Sequence, residues 1–430
     1  MQLTIHVFDN GRLGGRVIPV SFARKVGSGV KVVDVLREVF VHVDLPVDAA
    51  AIFSLWCTSP LLELQLKPNQ KVQSVVSQWQ ALLAKYTTAT VEKAEDDIPL
   101  LTLRRNCFYP RTMERKLLME QSLRLLYHEA QFNITTYRYV PERIQDYYDL
   151  AAAKACIDLG LFDPQRHTVA RMKEVVVQYF TPQFIRPRLA DSLVARDPRV
   201  EVTKQWLREY QRVSAMTLPM VQLYRRYLQV CWNVPTYSAV FFKGEIACPR
   251  RLRRTLLDQT DVGVRVAINQ DGIHLVHEEK NETLISFALD QVSWDYAPAQ
   301  REGENEFASL YLEFDGEFNG TKCKFLVEVF SRQAQLMDAM ISQCVEMAEE
   351  EEQRIAQIRR NQGTEGFVER QVIHTDLKRH FGEVQQLAKY VAVQTCVAGR
   401  CYPGLPKAAD LAGAATQAGE AVSGHRSTHV

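Results

Sequence analysis

Leu3, Ile5 and Val7 alternate with polar residues, the period of a half-buried strand. Asp9-Asn10-Gly11 then offers turn chemistry tolerant of positive φ, and residues 16–22 return as a second strand. The period next becomes helical, with Val32, Leu36, Val39, Phe40 and Val43 on one face. Two apolar runs, FSLWCTS and LLELQL, follow on either side of Ser59-Pro60, and residues 100–103 form a last strand.

From about residue 113 to 232 the pattern stays helical. Leu123, Leu126, Tyr127 and Ala130 form one stripe. Pro141 predicts a helix start in the first-turn position that proline favours, and Gly160 predicts its end. Along this helix Ile144, Tyr147, Tyr148, Ala151, Ala155 and Leu159 should face one way, with the alanines letting a neighbour approach closely. Further helices are predicted over 168–180, 200–214 and 217–231. Between 236 and 330 the period returns to two: SAVFFKGEI, VRVAI, GIHLVH, LISFAL, QVSWDY, SLYLEF and KFLVEVF are seven short strands with turn signals between them. One helix over 333–347 closes the series, its apolar stripe formed by Leu336, Met337, Met340, Ile341, Cys344, Val345 and Met347. A charged helical extension follows to Arg360, then a break at 363–366, then an amphipathic stretch over 373–391. After Pro403 the chain is rich in Ala, Gly and Ser, the composition of a disordered tail.

A length of 430 residues predicts two to four domains. The balance of 52 Lys and Arg against 51 Asp and Glu argues against a general nucleic-acid coat, whose affinity needs a field of positive charge. No run approaches the roughly 18 apolar residues of a membrane span, and the start, MQLTIHVFDNG, does not read as a secretory signal. The nine cysteines are odd in number and mostly sit inside apolar runs, as reduced thiols of a cytosolic protein do. Asn-x-Thr sequons at Asn133, Asn281 and Asn319 are then chance matches.

Catalytic motifs are missing from the sequence. GRLGG and GSG fit neither phosphate-binding loop, and there is no Gly-x-Ser-x-Gly elbow, kinase loop or phosphatase loop. Cys396 and Cys401 in CVAGRC would need two further ligands to hold a metal, so two free thiols are the simpler reading. His274 and His277, three apart on a strand, should fall on opposite faces. The expectation is therefore no enzyme, no cofactor and no metal.

Hairpin, helix and further strands are the order of a ubiquitin-like β-grasp; a helical lobe follows; seven strands and a closing helix give a pleckstrin-homology or phosphotyrosine-binding-like sandwich. That succession resembles the three-lobed FERM module, an α+β cloverleaf whose helical lobe is like acyl-CoA-binding protein. LTLRRNCFYP, LRLLYHEAQFNI, LAAAKACIDLGLFDP and LYRRYLQVCWNVPTYSAVFFKGE are similar to its lobe junctions and second-lobe helices. IFSLWCTSPLLELQLKP, VSWDYAPAQREGE, LYLEFDGEFNG and FSRQAQLMDAMISQCVEM resemble the FERM domain-containing protein 8 family, called Bili in insects. The expected division is 1–106 for the first lobe, 107–234 for the second, 235–348 for the third, 349–402 for a helical extension and 403–430 for a disordered tail.

The resemblance implies a non-enzymatic cytoplasmic adaptor, peripheral at the plasma membrane. It would bind the cytosolic segment of a membrane protein: the iRhom inactive rhomboids, whose sheddase complex it would stabilise, or an LDL-receptor-related Wnt co-receptor. A phosphoinositide-responsive linker of the ezrin kind is the alternative, disfavoured by the short Ala- and Gly-rich end. In phosphotyrosine-binding-like sandwiches an extended peptide enters between the closing helix and the fifth strand. Here that implies residues 291–296, with Val292, Ser293, Trp294 and Tyr296, facing Leu336, Met337 and Met340, although the methionine stripe is first of all core. Arg250, Arg251, Arg253 and Arg254 form the densest basic cluster, which is either a solvated loop or a contact for anionic phospholipid or an acidic peptide.

Overall fold

The computed structural model describes residues 2–22, 29–185, 197–246, 262–299, 307–318, 321–361 and 392–396. Its contacts divide the chain into two compact units, Met1–Ala239 and Val240–Val430.

The first unit begins with β1 (Gln2–Asp9) and β2 (Arg12–Ser21). Asn10 at φ 47° and Gly11 at φ 66° form the two-residue loop between them, so the Asn-Gly pair turns where expected. Then come α1 (Val32–His42), β3 (Phe53–Thr58), β4 (Glu63–Gln65), α2 (Val72–Ser77), α3 (Trp79–Tyr86), α4 (Val91–Glu95) and β5 (Leu100–Arg105). The sheet order is β2-β1-β5-β3-β4, with β1 and β5 parallel and every other pair antiparallel. Val35, Val39 and Phe40 of α1 are buried, as are Ile5, Val7, Leu55 and Leu103 of the strands, which gives a β-grasp core. Helices α2 to α4 have no counterpart among the sequence expectations. Trp79 anchors them, buried with its indole N–H donating to Asp97 Oδ2 at 2.9 Å.

The same unit continues through α5 (Arg111–Glu114), α6 (Glu120–Thr135), α7 (Ile144–Leu159), α8 (Val169–Val175), α9 (Pro182–Ile185), α10 (Pro198–Ser214) and α11 (Met220–Cys231). Helix α7 packs against α10 and α11, and α6 lies against β1, β2 and β5. Pro141 does not open α7. Arg143 is still extended at φ −100° and ψ 137°, so helical turns begin only at Ile144. The end is as expected: Gly160 takes φ 81°, and its carbonyl accepts the Tyr210 hydroxyl at 2.9 Å. The expected stripe holds in the middle but not at its ends, because Ile144 and Leu159 are 60% and 42% exposed. Ala151 and Ala155 of that stripe are buried, as are Ala152 and Ala153, and their lack of side-chain bulk lets α10 come close.

The second unit has all seven expected strands: β6 (Val240–Ile246), β7 (Val262–Ile268), β8 (Gly272–His277), β9 (Thr283–Ala288), β10 (Val292–Ala297), β11 (Ser309–Phe318) and β12 (Thr321–Phe330). They form one antiparallel succession ordered β10-β11-β12-β6-β7-β8-β9. Helix α12 (Ala334–Asn361) packs on β7, β10 and β11 and runs unbroken through the charged extension, where Arg354 pairs with Glu351 at 2.7 Å. A last strand, β13 (Ala392–Cys396), pairs with β12. The amphipathic stretch expected over 373–391 and the tail over 403–430 lie outside the described residues.

Candidate functional site

Strand β10 ends its sheet. It pairs with β11 from Val292↔Phe314 to Ala297↔Ser309, and no strand joins its other side among the described residues. Alternation sorts its side chains: Val292 is buried, Ser293 and Asp295 are exposed, and Trp294 and Tyr296 are half-buried. The strand begins one residue later than expected, at Val292. Helix α12 is tied to this edge by one directed bond, as Trp294 Nε1–H donates to Asp338 Oδ1 at 3.0 Å. Leu336 is half-buried on the same helix. The two methionines sit deeper than a groove lining would. Met337 is 0% exposed and Met340 7%, packed with Ala334, Ile341 and Cys344 as core, because the sandwich needs their volume to close it. What the edge presents is therefore a row of backbone groups from β10 with half-buried Trp294 and Tyr296 along it, a form suited to an added strand.

The other sequence-predicted groups are dispersed. Arg250, Arg251, Arg253 and Arg254 lie outside the described residues, as does Cys401. His274 and His277 are both buried on β8, and His277 Nδ1 accepts the amides of Glu279 and Lys280 at 3.3 and 3.4 Å, so it caps a turn. Among the described residues no group of three His, Cys, Asp or Glu could hold a metal. Burial pushes the thiols of Cys57 and Cys344 up to about 12 and that of Cys156 to about 11, leaving them protonated and poor nucleophiles at neutral pH.

Two buried ionic clusters in the first unit escaped the sequence. Glu63 takes both terminal nitrogens of Arg138 at 2.6 Å and Arg104 Nη1 at 3.1 Å; Arg104 also reaches Glu129 at 3.3 Å. Burial alone would raise the Glu63 carboxyl, but the charges of Arg138 and Arg104 outweigh it and hold the group at about 2. In the second cluster Glu114 is 0% exposed. It accepts Arg105 Nε and Trp232 Nε1, each at 2.6 Å, and the Tyr237 hydroxyl. These carboxylates are saturated by protein donors, which is the arrangement of a structural clamp. A polar cleft of about 290 Å³ lined by Arg16, His42, Asp44, Glu120, Gln121 and Arg124 mixes both charges, and Arg16 is already donating to the His42 carbonyl at 2.6 Å.

Comparison with known proteins agrees with this architecture. The model described as KRIT1/FRMD8, FERM domain C-lobe, matches residues 262–340, and that of the FERM central domain matches 112–242. FERM domain-containing protein 8 of Homo sapiens is 33% identical over 324 residues, 73% of this chain and 68% of the relative. The Danio rerio protein of that description is 34% identical over 321 residues, 72% of this chain and 67% of the relative. Among solved structures, the human Myosin 7b C-terminal MyTH4-FERM domain in complex with harmonin-a PDZ3 domain superposes with a TM-score of 0.50 at 12% identity. That alignment covers 81% of this chain and 60% of the myosin chain, a likeness of fold.

Proposed function

The chain belongs to the FERM domain-containing protein 8 family, and from that premise we propose that it is a non-enzymatic adaptor whose β10 edge grips the cytosolic segment of a membrane protein. The partner proposed is an iRhom inactive rhomboid, held at the cytosolic face of the plasma membrane so that its sheddase complex persists. An LDL-receptor-related Wnt co-receptor is a second client of the same edge. The observation that carries this reading is the half-buried Trp294 on a strand with one side unpaired among the described residues, braced by Asp338 of the closing helix.

The mechanism is linkage. Main-chain bonds to β10 supply affinity without regard to sequence, and Trp294 and Tyr296, with Leu336 of the closing helix, are proposed to select the side chains. Occupancy then stabilises whichever state of the partner presents its segment. Arg250, Arg251, Arg253 and Arg254 are proposed to meet anionic headgroups, each contributing on the order of 1 kcal/mol toward the leaflet.

The test is fluorescence anisotropy of the labelled iRhom cytosolic segment against the full chain, with Trp294→Ala and Leu336→Glu beside it. Both variants should bind at least tenfold more weakly while melting cooperatively. Undiminished affinity in a folded Leu336→Glu protein would move the contact to another lobe. Reversal of the four arginines to Glu should release anionic vesicles and leave segment binding unchanged.

A further inference from the structure

Alternation gives β10 two faces. Trp294 turns toward α12, where it donates to Asp338, so Ser293 and Asp295 stand on the face away from the helix, and both are exposed. Register carries Asp295 into a row that crosses three strands, Asp295↔Tyr311 and Tyr311↔Glu328. The hydroxyls of Tyr311 and Ser309 both donate to Glu328 Oε1 at 2.8 Å, so that carboxylate is engaged inside the sheet. Burial and then the Glu328 carboxylate push the Tyr311 phenol up to about 12, with the charge of Asp295 adding to the rise. Glu313 of β11, the pair partner of Ser293 and diagonal to Asp295, takes Lys324 Nζ of β12 at 2.5 Å. A cation on the neighbouring strand thus answers Glu313. Asp295 stands on the last strand, with no cation in ion-pair range among the described residues and no further strand there to supply one.

We propose, taking strand addition at β10 as given, that the incoming segment carries a Lys or Arg opposite Asp295 and that Asp295 selects it. Side chains directly opposite on paired strands have Cβ atoms about 4.5–5.5 Å apart, where opposite charges attract and like charges repel. The residues on either side of that cation project to the helix side, opposite half-buried Trp294 and Tyr296, where apolar side chains fit. The segment recognised is an extended apolar–basic–apolar triplet, read as a charge on one face and as buried surface on the other. An acidic or phosphorylated segment is rejected at this edge, because it would set a second anion against Asp295 with Glu313 and Glu328 behind it.

The experiment is selection of a phage-displayed library of random peptides on the full chain and, in parallel, on Asp295→Lys. Asp295 is exposed, so the variant should fold and melt as the wild type does. Peptides taken by the wild type should carry the apolar–basic–apolar triplet, and those taken by the variant should carry Asp or Glu in place of the cation. A synthetic copy of a wild-type peptide should bind Asp295→Lys about fivefold more weakly. Exchanging its cation for Glu should restore binding to the variant and weaken binding to the wild type. Hydrogen exchange with the peptide bound separates two kinds of failure. Protection of the amides of β10 with equal affinity for wild type and Asp295→Lys would overturn selection by Asp295 and leave strand addition standing. Selected peptides that leave those amides unprotected, or a selection that yields no peptide, would overturn strand addition and the charge selection with it.

Discussion

Glu114 has no contact with water and is held by Arg105, Trp232 and Tyr237, residues brought together from across 132 positions of chain. Replacing it with Ala should cost about 3–5 kcal/mol, since the Arg105 guanidinium would stay buried without its counter-charge; urea denaturation reads the loss. Glu63 gives a pH signature. Its carboxyl lies near 2 when folded against 4.5 ordinarily, so its contribution is complete above about pH 4.5 and is lost as pH falls toward 2. Glu63→Gln should therefore be less stable at neutral pH, and the gap to wild type should close on acidification through that window. Neither cluster was legible beforehand. Glu63, Arg104 and Arg138 read as ordinary scattered charges, because nothing local records that β4, β5 and the turn after α6 converge.

At the scale of elements, what was legible had a strong period. The seven strands of the second unit emerged from alternation and turn residues, and the closing helix from its apolar stripe. Helices α2 to α4 did not, since each is five to eight residues long and buries few side chains, Val72, Val75, Trp79 and Leu83. Strand β13 was also missed: AVQTC is too short for its two-residue period to stand out beside the helical spacing before it. The β10 edge was half legible. Its alternation was in the sequence, but the Trp294–Asp338 bond and the depth of Met337 depend on how α12 is seated. The alanine run of α7 makes a sharp prediction, because small side chains there set the distance to α10. Ala152→Leu should destabilise by about 1–3 kcal/mol through overpacking, visible as a lower midpoint in thermal unfolding, whereas exposed Ile144 should accept Ala with a change within about 0.5 kcal/mol.

For the molecule as a whole, adaptor function means that binding and stability are one quantity. If the iRhom segment is the partner proposed above, a hundredfold excess over its Kd should raise stability by about 2.7 kcal/mol, seen as an upward shift in Tm, and Leu336→Glu should abolish that shift. The Glu114 cluster carries a consequence of another kind. A piece cut out as residues 107–234 would leave Arg105 and Tyr237 behind and strand an anion in its interior. The sheet and the helices of the first unit thus share one interior charge cluster, and any recombination that parted them would leave each inheriting half of it.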